Sequence, residues 1–211
     1  MTGPIARQVA TAQRRAAAEA RTLAAVEELL REGASFTELS VDRIASLAGL
    51  SRSTFYLYYR DKNELIVLLN SSLKAGLFEV ARDWQPHDPA GGLDGLARML
   101  EGMIAHYRER AATLAAILEV AGYDKTVREL LAVEQHQFVT GVAQRVRQEQ
   151  RAGRAAADFD PLEAARVLVT GGQQVVVRQV TTGAPEDDAR VARELATAQW
   201  YGVYRRPAQS V

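Results

Sequence analysis

The residues best suited to specific chemistry lie in one stretch, where arginine and hydroxyl side chains alternate with aromatic ones. From Ser51 to Lys62 the chain reads SRSTFYLYYRDK. An arginine can bind guanine through two parallel hydrogen bonds, and hydroxyl groups reach phosphates or base edges. Phe55 and Tyr59 stand four residues apart and therefore share one face of a helix. The spacing predicts a short helix that packs by its aromatic face and presents a polar face to nucleic acid.

Two short helices joined by a glycine turn are predicted around this stretch. Ser40 can cap the first helix, and Gly49 can end it because glycine adopts the left-handed conformation without strain. Ser51 can cap the second helix, and Asp61 with Glu64 has the spacing of a capping box that opens a third. Such a pair is a helix-turn-helix, whose second helix enters the major groove of DNA. The sequence therefore predicts double-stranded DNA as a partner.

The same stretch resembles the recognition segment of the TetR family of bacterial transcriptional regulators, and most closely its EthR-like branch. The family pattern has Tyr or His at the place of Tyr58, where His is commoner, and Phe is commoner at the place of Tyr59. The resemblance covers the first third of the chain. It implies a homodimer, most often a repressor, that binds a palindromic operator and is released by a small, largely apolar effector. The matched positions are Thr54, Phe55, Tyr56, Tyr58, Tyr59, Lys62, Glu64 and Leu65.

The resemblance also implies which residues touch DNA. The positions matching Arg52, Ser53 and Thr54 lie at the bases in this family, and those matching Tyr56 and Lys62 contact the backbone. We expect the Arg52 and Lys62 side chains to be exposed, so that replacing either would weaken operator binding and leave folding intact. A solvated helical hairpin without a DNA role is the alternative. The complete predicted DNA-binding set is Ser40, Arg43, Ser51, Arg52, Ser53, Thr54, Tyr56, Tyr58 and Lys62.

Composition limits the class of protein further. The 211 residues include no cysteine, which excludes disulfides and thiolate metal sites. No apolar run approaches the ~20 residues that span a bilayer, and no signal peptide is visible, so we expect a cytoplasmic protein that does not enter membranes. The formal net charge is zero, yet residues 1–21 carry four arginines against Glu19. This distribution suits a protein that touches DNA with a small part of its surface.

Sequence signals for catalysis, metal binding or a cofactor are missing. His87, His106 and His136 lack the spacing of metal ligands, and the sequence has no Walker loop and no GxGxxG motif. We therefore predict a protein that is not an enzyme and needs no cofactor. Two alternatives stay open. A ligand-independent helical DNA-binding protein would show no effect of small molecules on operator binding, and an all-helical enzyme would show no specific DNA binding.

The remainder of the chain predicts an all-α fold of about nine helices, because apolar residues recur at helical spacing and no period-two pattern persists. The second domain is expected to begin at the turn-rich segment QPHDPAGG. Near residue 160, Asp160, Pro161 and Glu163 give three agreeing helix-start signals. The predicted divisions are a mobile arm (1–13), the helix-turn-helix DNA-binding domain (14–62), a connecting helix (63–84), and a helical ligand-binding and dimerisation domain (85–211).

Polar side chains interrupt the apolar stripes of the predicted second domain. Apolar cavities with a few convergent polar groups are typical of ligand sites. We identify no cluster of buried charge in the sequence and therefore expect a largely uncharged, apolar effector. For each residue taken singly, a position in the core, at an interface or on the surface is the alternative. The predicted ligand-binding residues are Tyr107, Phe138, Thr170, Gln173, Gln174 and Trp200.

The last two predicted helices are very apolar for helices on the outside of a domain. They contain VLV at 167–169 and VVV at 175–177, which on a monomer would form an exposed apolar patch of the kind that marks an interface. The family resemblance implies a dimeric four-helix bundle made by these helices. About half of the apolar residues would instead complete the core of the subunit. The predicted interface residues are Val169, Val176, Val180, Leu195 and Tyr201.

Overall fold

A computed structural model describes residues 4–88 and 91–206 of the chain. These residues form nine α-helices and no strand, which confirms the predicted all-α fold. None of the helices in this part of the chain is long and apolar enough to cross a membrane. The helices are α1 Pro4–Arg31, α2 Val41–Leu47, α3 Arg52–Tyr58, α4 Asn63–Arg82, α5 Gly92–Glu109, α6 Ala111–Tyr123, α7 Lys125–Arg151, α8 Pro161–Thr182 and α9 Asp188–Gln199.

The first helix begins earlier than predicted. We expected a mobile arm over residues 1–13, but α1 starts at Pro4. Residues 4–13 lack an apolar stripe, yet alanine, glutamine and arginine are good helix formers, and proline is tolerated in the first turn of a helix. Intrinsic propensity therefore extends the helix where amphipathicity gave no signal. Residues 1–3 lie outside the described part of the chain.

The described residues divide into two compact units whose bounds differ from the predicted linear domains. The first unit comprises the residues up to Ser72 together with Ala112–Arg128, and the second comprises Leu73–Ala111 together with the residues from Glu129 onward. Helix α4 thus contributes its first half to one unit and its second half to the other. Helix α6 belongs to the N-terminal unit although it lies far away in sequence.

Polar contacts explain why α6 belongs to the first unit. Glu119 of α6 accepts hydrogen bonds from the Ser35 hydroxyl at 2.9 Å and from the Thr37 backbone N–H at 3.1 Å. Asp124, which follows α6, accepts a hydrogen bond from the Asn63 side chain at 2.8 Å. These contacts add to an apolar core that includes Val26 and Leu29 of α1, Phe36 and Leu39 of the following loop, Ile44 of α2 and Phe55 of α3.

The second unit is built around α5, α8 and α9. The start of α8 is as predicted, because the Asp160 carboxylate accepts hydrogen bonds from the backbone N–H groups of Leu162 at 2.7 Å and Glu163 at 2.9 Å. Helix α9 ends in a π-helical turn over Trp200–Tyr204. This turn buries both Trp200 and Tyr204, whose ring centroids lie 6.0 Å apart.

Candidate nucleic-acid interface and effector cavity

The α2–turn–α3 segment is held by local caps of the predicted kind. Ser40 accepts a hydrogen bond from the Arg43 backbone N–H at 3.2 Å, and Ser51 accepts one from the Thr54 backbone N–H at 3.1 Å. Gly49 takes a φ of +67°, so glycine is needed in the turn. The structure therefore gives Ser40 and Ser51, both predicted to contact DNA, a defined capping role.

Helix α3 has one buried face and one outward face. Phe55 and Tyr59 are buried and pack together with ring centroids 4.9 Å apart, as predicted from their spacing. Of the predicted DNA-binding residues, Arg52, Ser53 and Tyr56 are exposed, and Thr54 and Tyr58 are half-buried. Leu57 is 77% exposed on the same helix and was not predicted as part of the surface. Leu57 does not lie on the helix face shared by Phe55 and Tyr59, and this position in the sequence could have identified it as exposed.

Arg52 is held in place on this surface by two neighbours. Its guanidinium forms an ion pair with Asp42 of α2 and lies 5.6 Å from the centroid of the Tyr56 ring. The hydrogen bond to Asp42 raises the pKa of the Arg52 guanidinium above its ordinary value. Arg43 is also exposed and lies 3.4 Å from Glu32. Both arginines thus lie at the exposed surface of the first unit, each beside a carboxylate.

The structure corrects the prediction for Lys62. Its ammonium group donates hydrogen bonds to the backbone carbonyls of Phe36 at 3.0 Å, Thr37 at 2.6 Å and Leu39 at 3.1 Å. An ammonium carries three protons, so all of its donors are used inside the first unit. The side chain is half-buried, and this burial lowers the pKa of Lys62. Lys62 stabilises the loop before α2 and has no free donor for a DNA phosphate.

The second unit contains a cavity of about 150 Å³. Its walls are mainly apolar and include Leu77 of α4, Leu96 and Leu100 of α5, and Val142 of α7. Three of the residues predicted to bind a ligand, Tyr107, Phe138 and Gln173, line it. Burial raises the pKa of Tyr107 to about 12, so its phenol is neutral at physiological pH. Within the described residues, no group of three or more His, Cys, Asp or Glu could hold a metal ion.

Three other predicted ligand residues do not line the cavity. Thr170 and Gln174 are exposed on α8, and the Thr170 hydroxyl accepts a hydrogen bond from Gln135 at 3.2 Å. Trp200 is buried, but Tyr204 contributes to the wall instead. Trp200 and Tyr204 are four residues apart and share one face of a helix, so their spacing did not show which of the two lines the cavity.

The paired glycines of α8 have different environments. A Cβ atom at Gly172 would lie 3.0 Å from the side-chain nitrogen of Gln199, whereas a Cβ at Gly171 would meet open space. Gly172 and Gln199 both line the cavity, and Gln199 donates a hydrogen bond to the Leu168 carbonyl at 3.5 Å. Gly172 therefore packs closely against Gln199, whereas Gly171 does not pack against another residue.

Arg145 is a cavity residue that the sequence interpretation missed. It lies on α7 seven residues after Phe138 and three after Val142, and all three line the cavity. Residues at these spacings share one face of a helix, which is the signal that could have identified Arg145. Its guanidinium lies 5.3 Å from the centroid of the Trp84 ring. The cavity therefore contains a positive charge that was not expected.

Some of the predicted interface residues are buried within the second unit, and others are partly or largely exposed. Val176 and Val180 are buried within the unit, and Val169 and Val176 line the cavity. They complete the subunit core, which corrects the prediction for these positions. Leu195 is half-buried, and Tyr201 is 58% exposed. The exposed apolar side chains of α8 are instead Val167 and Val175, at 72% and 39%.

The helical architecture and the capped α2–α3 pair define a helix-turn-helix transcriptional regulator. Residues 23–69 match the family described as "Bacterial regulatory proteins, tetR family". This family consists of transcriptional regulators rather than enzymes. The predicted resemblance to it is confirmed.

Among characterised relatives, the chain is similar to the HTH-type transcriptional regulator EthR of Mycolicibacterium smegmatis. The two are 29% identical over 154 residues, which cover 71% of this chain and 69% of the relative. The similarity therefore extends well beyond the helix-turn-helix.

Solved structures share the fold at lower identity. Salmonella enterica GusR matches with a TM-score of 0.71 and 20% identity over 89% of this chain and 95% of that one. FadR of Bacillus subtilis, in complex with stearoyl-CoA, matches with a TM-score of 0.68 and 17% identity over 86% and 97%. FadR of Thermus thermophilus, in complex with lauroyl-CoA, matches with a TM-score of 0.63 and 22% identity over 92% and 98%.

Proposed function

We propose that this chain is a homodimeric repressor that binds a palindromic operator and releases it when a small, largely apolar effector enters the cavity. The first unit would bind DNA, and the second would bind the effector and the partner subunit. The observation that carries the proposal is the presence in one chain of a capped helix with an outward polar face and an apolar cavity of about 150 Å³. A ligand-independent protein would not need such a cavity.

The DNA-contacting residues would be those that the outer surface of the helix-turn-helix leaves accessible. Arg52 and Ser53 at the start of α3 are placed for base edges, and the exposed Tyr56 hydroxyl is placed for a phosphate. Thr54 and Tyr58 would contribute from the sides of α3, and Ser40 and Arg43 from α2, the helix that crosses the backbone. Lys62 is left out because its donors are used by backbone carbonyls.

The partner subunit would pack on the outer side of α8 and on the chain that follows α9. Val167, Val175 and Tyr201 supply exposed apolar surface there. An isologous dimer presents two recognition helices related by a two-fold axis, which matches a palindromic operator with half-sites roughly one DNA turn, ~34 Å, apart. One half-site offers few contacts, so operator binding would depend on dimer formation.

Helix α4 provides a covalent route from effector to DNA. Its residues up to Ser72 belong to the first unit, and its residues Lys74 and Leu77 line the cavity. An effector that favours one position of the second half of α4 would favour one spacing of the two recognition helices. The operator demands a fixed spacing, so an effector that prefers another spacing lowers operator affinity.

Selection of duplex DNA from a random pool by the full chain tests this function. We expect a palindromic sequence to be enriched, and fluorescence anisotropy should then show that Arg52→Ala weakens its binding by about tenfold and relaxes the sequence preference. Arg82→Ala is the matched control, because Arg82 is also exposed and paired with a carboxylate, Glu79 at 2.7 Å, but lies in the second unit. A pool without enrichment, or equal losses in both variants, would contradict the proposal.

A further inference from the structure

The cavity has an uneven distribution of charge. Its lining includes two charged residues, Lys74 and Arg145, both positive, and no aspartate or glutamate. A charge at an apolar wall is costly unless it is paired. Lys74 is paired, because its ammonium lies 2.6 Å from the Glu134 carboxylate and both side chains are less than a fifth exposed. The charge of Lys74 is therefore balanced without a ligand.

The charge of Arg145, in contrast, is not balanced by a carboxylate. In the described part of the chain, no carboxylate lies within ion-pair distance of its guanidinium. The acidic residue nearest along α7 is Glu149, which is only 1% exposed and already accepts hydrogen bonds from Arg154 at 2.8 and 3.0 Å. His87 lies 3.2 Å from the same carboxylate. Glu149 is thus bound by other partners, and Arg145 keeps hydrogen-bond donors that a ligand could use.

Two aromatic residues hold the Arg145 guanidinium at the wall. It lies over the Trp84 ring, whose centroid is 5.4 Å from that of Tyr204 in an edge-to-face arrangement. The Tyr204 hydroxyl lies beside the guanidinium, and burial raises the pKa of Tyr204 to about 12. The phenol therefore keeps its proton at physiological pH and can donate it. A planar guanidinium with an adjacent hydroxyl donor suits the two oxygens of a carboxylate.

The size and walls of the cavity define the rest of the ligand. A dry cavity of 150 Å³ in another protein is known to bind benzene, so the volume here suits an apolar body of about six carbons. Met99 and Met103 also line the cavity, and methionine side chains adapt easily to larger guests. The site thus combines an apolar body of adjustable size with one fixed cation.

We propose that the effector is an amphipathic monocarboxylate, with its apolar body among the leucine and methionine side chains and its carboxylate bound by Arg145 and Tyr204. This inference rests on the proposed function and names the ligand class of its cavity. It replaces the sequence-based expectation of an uncharged effector, but keeps the apolar body. Recognition is ionic at one end and hydrophobic along the remainder.

Calorimetric titration of the full chain, without DNA, tests the ligand class. The probes are the linear monocarboxylates from hexanoate to decanoate and the primary alcohols of the same lengths. We expect the best carboxylate to bind at least about tenfold more tightly than its alcohol, because only the carboxylate can accept a charge-assisted pair of hydrogen bonds. Equal binding of acids and alcohols, or no binding of any acid, would overturn the inference.

Substitutions at Arg145 test whether this residue binds the carboxylate. Arg145→Met keeps most of the apolar volume and should reduce carboxylate affinity at least tenfold while leaving alcohol affinity unchanged or higher. Arg145→Lys keeps the charge but loses the planar guanidinium with its two parallel donors, and should give an intermediate loss of carboxylate affinity. Arg151→Met is the matched control, because Arg151 is an exposed arginine on the same helix that does not line the cavity. Carboxylate affinity within twofold of wild type in a folded Arg145→Met would overturn the inference, and the acid–alcohol comparison remains decisive should that variant fail to fold.

Operator binding measured on the same samples tests the ligand class separately from effector-driven release. Arg145-dependent binding of octanoate with no change in operator affinity would support the ligand class and contradict effector-driven release. Release by octanol but not by octanoate would support the proposed function and overturn the carboxylate. Binding of octanoyl-CoA by a protein that does not bind octanoate would also overturn it.

Discussion

Arg108 of α5 forms a two-pronged ion pair with Asp188, the first residue of α9, with nitrogen–oxygen distances of 2.5 and 2.7 Å. The same guanidinium donates to the backbone carbonyls of Gln179 at 3.0 Å and Gly183 at 3.1 Å, where α8 ends. The Gln179 carbonyl also accepts a hydrogen bond from the Gly183 backbone N–H at 3.0 Å, so Arg108 reinforces the cap at the end of α8. One side chain thus joins three helices of the second unit.

Replacing Arg108 with methionine should destabilise the second unit by about 2 kcal/mol, because several charge-assisted hydrogen bonds are lost and the half-buried Asp188 carboxylate keeps only the hydrogen bond from Gln179. Denaturant unfolding followed by circular dichroism measures this. Arg190→Met is the matched control: Arg190 pairs with Asp187 at 2.8 Å but is highly exposed, so its loss should leave the transition unchanged. Similar transitions for both variants would show that Arg108 is no more than a surface residue.

The stability contributed by this ion pair should depend on pH. The hydrogen bond from Arg108 lowers the pKa of Asp188 below its ordinary value of about 3.9. A carboxyl whose pKa is lower in the folded state contributes stability above its unfolded pKa and loses it as the pH falls through the folded one. The difference in unfolding free energy between wild type and Arg108→Met should therefore be constant from about pH 5 to 7 and shrink below about pH 4. A difference that grows on acidification would contradict this assignment.

Lys62 should behave as a residue that stabilises a loop and not as one that binds phosphate. Lys62→Met removes three hydrogen bonds to the Phe36–Leu39 loop and should lower the unfolding midpoint, but leave the dependence of operator affinity on salt unchanged. Arg43→Ala removes an exposed charge from each subunit and should lower the slope of log affinity against log salt by roughly 2 per dimer. A slope that falls for Lys62→Met while folding is unaffected would restore the phosphate contact that we predicted from the sequence.

Short-range features of this fold could be predicted from the sequence, whereas features that depend on distant segments could not. The caps at Ser40, Ser51 and Asp160 were predictable because each acts within three residues of itself. The role of Lys62 depends on carbonyl groups 23–26 residues away, and the placement of α6 in the first unit depends on Glu119, more than 80 residues from its partners. The periodicity of apolar residues carries no information about contacts between such distant segments.

The same distinction applies to the cavity. Phe138 and Tyr107 follow from helical periodicity, because each lies on an apolar stripe. Arg145 interrupts such a stripe, and an arginine there can equally extend to solvent, so its position needs the fold. Trp200 and Tyr204 share a helix face by their spacing, so only the fold shows that Tyr204 lines the cavity.

Tyr59 places its hydroxyl inside the first unit. It is 4% exposed, and its hydroxyl has no hydrogen-bond partner among the residues that the structure describes. The Thr22 hydroxyl lies toward it but donates to the Ala18 carbonyl at 2.8 Å. Tyr59→Phe removes the unpaired group, keeps the ring contact with Phe55, and should raise the unfolding free energy by about 1 kcal/mol. A loss of stability in thermal unfolding would reveal a partner for the hydroxyl, and Tyr59→Leu, which also removes ring volume, should destabilise.

The outer side of α8 should carry the dimer contact, and its inner side should carry the subunit core. Val167→Asp places a charge on a side chain that is 72% exposed, so the monomer should fold normally while dimer formation is lost. Val176→Asp places the same charge beside the cavity at a buried position and should instead unfold the second unit. Sedimentation velocity at micromolar concentration, together with circular dichroism, separates the two effects. A folded, dimeric Val167→Asp would exclude this side of α8 from the interface, and a stable wild-type monomer would contradict the dimer itself.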